Sequence, residues 1–109
     1  MNVGFYIDNS YKLSELITKE YSTSFSMATS LLEKDKRKAI YAIYGFVRLA
    51  DEIVDSFNGY DKTFLLSNLN EQLQYALENG ISNNTVLAAF VDTVIKYNIS
   101  PKHIEAFME

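Results

Sequence analysis

The sequence predicts an all-α fold, and three observations carry that reading. Apolar residues recur at helical spacing along nearly all of the 109 residues. Only four Gly and one Pro interrupt them, so few points break a helix. Residues that cap helices stand where the periodic segments begin and end.

The first helix is expected over about 10–20, with Ser10 as its N-cap and Leu13, Leu16 and Ile17 on one face. The hydroxyl-rich stretch 21–25 reads as a loop or short break, followed by a short helix over about 25–32. Asp35 is expected to cap a long central helix over about 36–57, which stops at Phe57-Asn58-Gly59. Asp61 is expected to cap a helix over about 62–79, closed by Gly80, and a further helix covers about 84–97. Ser100 and Pro101 then form a helix start, with Ser at the cap and Pro at the first helical position. That helix stops at Glu109 after about two turns, too short to be stable alone. The chain is therefore expected to be a truncated piece of one larger domain.

Composition excludes several classes of function. With no Cys there is neither a disulfide framework nor a thiolate metal site. The one histidine, His103, reads as a surface residue and cannot build a His-based metal site alone. A net charge of −4 argues against nucleic acid as a partner, which would call for a basic patch. No apolar run approaches the roughly 18 residues of a membrane span, and no signal peptide is evident at the N-terminus. A cytoplasmic protein is expected, with peripheral membrane contact left open.

The central helix holds the candidate chemistry. At about 100° per residue, Tyr44, Arg48, Asp51, Glu52 and Asp55 fall in an arc of roughly 100°. The far side, from Ala39 through Phe46, Ile53 and Val54 to Phe57, is apolar over about 160°. Asp51 and Asp55 are four residues apart, where like charges destabilise a helix by about 0.2–0.5 kcal/mol. They also lie near the negative end of the helix dipole. A local rule broken this way points to function, and a divalent cation would neutralise the repulsion. Two readings of this stripe stand. In one it is a Mg²⁺ site, since Mg²⁺ takes one or two carboxylates and completes its shell with water and phosphate, and Arg48 suits the phosphate. In the other, Arg48 pairs with Asp51 and Glu52 as an ordinary charged helix face. Ser22 and Ser24 likewise read either as a helix cap or as hydroxyls over a phosphate, with Phe25 facing an apolar ligand. Tyr41 and Tyr44 are core residues by default, and Lys34, Lys36, Arg37 and Lys38 read as a solvated first turn.

In chain order, Ser22-Thr-Ser-Phe-Ser26, Leu31-Leu32, Asp35-Lys-Arg-Lys-Ala39, Ala42-Ile-Tyr44 and Arg48-Leu-Ala-Asp-Glu-Ile-Val-Asp55 resemble the N-terminal part of the phytoene/squalene synthase family. These are the head-to-head prenyl synthases. Val86-Leu-Ala-Ala-Phe90 and Tyr97-Asn-Ile-Ser-Pro101 resemble that family's next helices. The resemblance implies the N-terminal portion of an isoprenoid synthase helical bundle, truncated, around a deep apolar cavity. It implies Mg²⁺-dependent condensation of two prenyl diphosphates, farnesyl or geranylgeranyl, through a cyclopropyl intermediate. Asp51 and Asp55 would be catalytic metal ligands, Arg48 and Ser22 would contact diphosphate, and Phe25 and Tyr44 would line the prenyl cavity. Thr23 stands where some members have a basic residue, and Glu52 where an Asp is common. The family's second aspartate-rich motif is missing from this sequence, so the piece alone is expected to be inactive and, with apolar faces left uncovered, to form a homodimer. A rival reading is a stand-alone helical module that binds a protein partner and has no catalytic role.

Overall fold

Five helices and a helical segment at 102–104 make up the described structure, a computed structural model that describes residues 2–100 and 102–104. The five are α1 (Val3–Tyr21), α2 (Thr23–Thr29), α3 (Lys34–Ser56), α4 (Lys62–Asn79) and α5 (Thr85–Lys96). No strand occurs among the described residues, so the all-α expectation holds. None of the helices among those residues is long and apolar enough to cross a membrane.

Helix α5 is the hub. Val86, Leu87, Ala88, Ala89, Phe90, Val91 and Val94 are all buried, as expected of a helix that is apolar around most of its circumference. Helices α1, α3 and α4 each pack against it. Phe46 of α3 stacks on Phe90 with ring centroids 4.2 Å apart. Leu69, Leu73 and Ala76 of α4 close the same core, and Ile104 joins it from beyond α5.

Helix α1 corrects the sequence reading in two ways. It begins seven residues earlier than expected, because the Asn2 side chain accepts from the Phe5 amide at 2.8 Å and caps the helix there. Ser10 is therefore not a cap. It lies fully buried inside the helix and donates to the Tyr6 carbonyl at 2.9 Å. The buried face is also not the leucine face. Leu13 and Leu16 are exposed, and Ser10, Tyr11, Ser14 and Thr18 point inward. The reason is the close crossing of α1 and α3. A Cβ built on Gly45 would meet Ser14 Oγ at 3.1 Å, so only small side chains fit there, and hydroxyls can return their hydrogen bonds to their own helix. Thr18 does so, donating to the Ser14 carbonyl at 2.9 Å. Ser14 Oγ does not, and has no hydrogen-bond partner among the described residues although it is buried. Ser14→Ala is therefore expected to raise stability by about 1 kcal/mol, since it removes an unsatisfied buried hydroxyl and places a better helix former at the site. Urea denaturation of the two proteins measures this; a loss of stability would show that the hydroxyl is satisfied in solution.

The remaining boundaries follow their caps. Ser22 caps α2, which starts two residues earlier than expected, at Thr23, and ends at Thr29 rather than near residue 32. Asp35 does not cap α3. Glu33 holds the cap position, and Asp35 lies within the first turn, where the helix dipole favours an acid. At the other end α3 stops at Ser56, and Gly59 takes the left-handed conformation, with φ 88°, that the Asn-Gly signal predicts. Val54, expected on the buried arc, is 51% exposed. Tyr41 is buried, as expected. Asp61 caps α4 through the Phe64 amide at 3.0 Å, and Gly80 closes it with φ 77°, both as expected. Asn84 caps α5. Ser100 Oγ accepts from the Lys102 amide at 3.3 Å. Pro101 and residues 105–109, where the last helix was expected to continue, lie outside the described residues.

One buried polar group gives the fold a pH dependence. Tyr11 donates to Asp92 Oδ2 at 2.6 Å and lies 3.0 Å from Thr93 Oγ1. Burial, and then the hydrogen bond to Asp92, push its phenol well above the ordinary value of 10.0, against a smaller lowering by Thr93. In the folded state the proton is held where the unfolded chain would release it. The stabilisation is thus fully present below pH 10.0 and is lost as pH rises above it. A melting temperature that falls more steeply above that pH in the parent than in Tyr11→Phe is the expected result.

Candidate functional site

The junction of α1 and α2 lies against the charged stripe of α3. Ser22 ends one helix and starts the next: its amide donates to the Thr18 carbonyl at 2.9 Å, and its Oγ accepts from the Phe25 amide at 3.2 Å. The bend lays Tyr21 and Phe25, four residues apart, beside Arg48 and Tyr44, also four apart. Phe25 stacks on Tyr44 with centroids 5.1 Å apart and planes at 27°. Tyr21 places its ring 5.1 Å from the Arg48 guanidinium, within range for a cation–π contact. The bent segment 21–25 thus lies along the turn 44–48 in reverse order, Phe25 against Tyr44 and Tyr21 against Arg48. The result is an aromatic wall beside a guanidinium.

Arg48 is the most constrained charge of the stripe. Its Nη2 lies 2.8 Å from Glu52 Oε1, and the two side chains are 24% and 23% exposed. Its Nε is buried with no hydrogen-bond partner among the described residues. Leaving such a donor unmade costs about 1–3 kcal/mol. Among the described residues the expected i+3 pair with Asp51 is not formed, and Arg48 makes its ion pair with Glu52.

Asp51 and Asp55 stand on the continuous helix α3, one turn apart, in its last two turns. Asp51 is half-buried and Asp55 exposed. Neither makes an ion pair among the described residues, which leaves their oxygens open to a cation. No group of three or more His, Asp or Glu side chains able to hold a metal occurs among the described residues. Two carboxylates alone make an incomplete shell. They suit Mg²⁺, whose remaining positions water and phosphate oxygens fill, better than a metal that demands a full set of protein ligands.

The structure therefore brings Ser22, Phe25, Tyr44 and Arg48 together, and sets Asp51 and Asp55 on the following turns of the same helix. Sequence reasoning missed Tyr21 as a member of this group. The spacing of Tyr21 and Phe25 carried no signal for it, because Ser22 breaks the helix between them.

A helical bundle with an acidic helix stripe beside an aromatic wall is the class of protein defined so far. The family comes from comparison with known proteins. The family model described as "Squalene/phytoene synthase" matches residues 18–109, and the chain belongs to that family. It is 34% identical over 102 residues to a phytoene synthase of Arthrospira platensis, covering 93% of this chain and 32% of the relative. It is 30% identical to a 15-cis-phytoene synthase of Synechococcus elongatus, covering 94% and 32%. A 4,4'-diapophytoene synthase of Staphylococcus haemolyticus is 24% identical, over 86% of this chain and 33% of the relative. The chain thus spans about a third of the length of these curated relatives. No solved structure matches it.

Proposed function

We propose that this chain is the N-terminal, first-acidic-motif part of a prenyl synthase that joins two prenyl diphosphates head-to-head with release of diphosphate, giving a product of the phytoene, squalene or dehydrosqualene type. By itself it is inactive, because one acidic motif is half of a clamp. The observation that supports this reading best is the seating of the 21–25 segment on α3. It sets an apolar wall, Phe25 on Tyr44, beside a guanidinium, with two carboxylates about one and two turns further along α3 that make no ion pair among the described residues. A prenyl diphosphate has the same order of parts: an apolar tail, then a dense anion that arrives with a divalent cation.

In this reading Phe25 and Tyr44 bind the tail and keep water from it. Arg48 donates to the diphosphate, and the Ser22 hydroxyl, whose oxygen already caps α2, offers its proton to the same anion. Asp51 and Asp55 would hold Mg²⁺, which supplies positive charge to the leaving diphosphate when bound.

Calorimetry tests the charge half of the proposal. Mg²⁺ alone is expected to bind the 109-residue chain no tighter than about millimolar, since so few of its ligands come from protein. Adding inorganic diphosphate is expected to tighten it. Micromolar affinity without diphosphate, or no response to diphosphate, counts against the reading.

A further inference from the structure

Helix α3 ends against the usual electrostatic preference. Asp51 and Asp55 stand in its last two turns, and no basic residue stands in its last turn. The helix dipole is negative there and favours a cation. Lys62 supplies one from the next helix. It is the first residue of α4, where the dipole is positive and a lysine is disfavoured. Its ammonium reaches back to α3 instead: Nζ donates to the Val54 carbonyl at 2.7 Å and to Asn58 Oδ1 at 2.9 Å. Val54 lies in the last turn, where carbonyls have no partner within the helix. The connecting turn favours this return. Gly59 takes φ 88°, the Tyr60 amide donates to the Phe57 carbonyl at 3.2 Å, and the Phe57 and Tyr60 rings meet edge-on with centroids 6.2 Å apart. Phe57 packs in turn against the main core. Lys62 nevertheless makes no ion pair with Asp55 among the described residues.

We propose that Lys62 is a positioning residue for the acidic pair: it ties down the last turn of α3 by a backbone carbonyl, so that Asp55 stays one helical turn from Asp51 with its carboxylate left open. This rests on the reading of Asp51 and Asp55 above as the pair that holds Mg²⁺. The Val54 carbonyl belongs to the planar peptide unit that joins Val54 to Asp55. Holding it fixes the backbone from which Asp55 projects. The last turn needs holding, because helix ends open locally, and both the dipole and the repulsion between Asp51 and Asp55 favour that opening. An opened turn carries Asp55 away from Asp51, and the affinity for a cation that both must reach falls with the fraction of molecules still closed. A lysine bonded to the carboxylate itself would fix Asp55 equally well but would compete with the metal. Bonded to the backbone, it fixes the residue and leaves the oxygens to the metal.

The test is calorimetric binding of Mg²⁺, in the presence of inorganic diphosphate, to the 109-residue chain and its variants. Amide hydrogen exchange at residues 54–56 and the melting temperature are measured on the same proteins without metal. Lys62→Met keeps an apolar stem and removes the ammonium. It is expected to weaken Mg²⁺ binding roughly three- to tenfold and to speed exchange at 54–56. Its melting temperature should stay near the parent's, since the lost bonds are exposed. Charge alone predicts the opposite sign, because removing a cation near two carboxylates strengthens their pull on Mg²⁺. Lys62→Arg keeps charge and donors and is expected to restore both readouts. Lys36→Met removes the same charge at the other end of α3 and is expected to bind like the parent, and Asp55→Asn to lose binding. If Lys62→Met binds as tightly as the parent or tighter, if exchange at 54–56 is unchanged, or if Lys62→Arg is as weak as Lys62→Met, the positioning role is overturned while the acidic-pair reading stands. If Asp55→Asn binds like the parent, or the parent shows no diphosphate-dependent binding, the metal reading fails and the inference with it.

Discussion

Asp51→Asn is expected to abolish prenyl condensation while leaving the fold intact, when both are measured in a polypeptide of the relatives' full length that carries this sequence. Arg48 pairs with Glu52 and not with Asp51, so the amide breaks no ion pair. It also relieves a like-charge contact with Asp55 near the negative end of α3. Stability is therefore expected to stay level or rise by about 0.2–0.5 kcal/mol. Turnover is expected to fall about 100-fold or more, the usual cost of losing one group that stabilises charge in the transition state. A metal held by Asp51 would need an anionic ligand, and an amide oxygen is a poor replacement. An active but less stable Asp51→Asn protein would mean that the stripe is only a charged helix face. The pair of measurements, melting temperature and product formation on one mutant, separates the two readings because they predict opposite signs.

The second large effect concerns the core. Phe46 is 2% exposed and stacks on Phe90 at the contact between α3 and α5. Phe46→Ala is expected to cost about 3–5 kcal/mol, from lost burial and the cavity left behind. A domain of this size has only about 5–15 kcal/mol of total stability. The variant should therefore be mostly or partly unfolded at modest urea concentrations where the parent is folded. A loss below about 1 kcal/mol would show that the α3–α5 contact is loosely packed in solution. The consequence reaches the site as well, because α3 carries Tyr44, Arg48, Asp51 and Asp55, and its contact with α5 sets where that stripe faces.

Long-period features were legible in the sequence because their causes are local. Asp61 and Gly80 bracket α4 as expected, since a cap and a left-handed glycine act within a few residues of themselves. The shared face of Arg48, Asp51, Glu52 and Asp55 follows from helix geometry alone. The all-α class follows from the same periodicity. The family followed from motifs at their spacing, and the family match confirms it.

What the sequence could not determine depended on which surfaces meet. Leu13 and Leu16 looked like the buried face of α1, but that face is Ser10, Tyr11, Ser14 and Thr18, because hydroxyls and Gly45 allow a closer helix crossing than leucines would. Val54 has an apolar side chain and no neighbour to cover it among the described residues, so it stays exposed. Within the site, Arg48 had two acids within reach along its helix, and the three-dimensional arrangement selected Glu52. Tyr21 lay outside any motif and became a wall of the site only when the bend at Ser22 folded it back onto α3. Sequence by itself determined the all-α class, the extent of α4, the charged stripe and the family, since each is written in residues near one another. Tertiary structure decided which faces are buried and which charge holds which, because those choices are made between residues far apart in the chain and brought together only by packing.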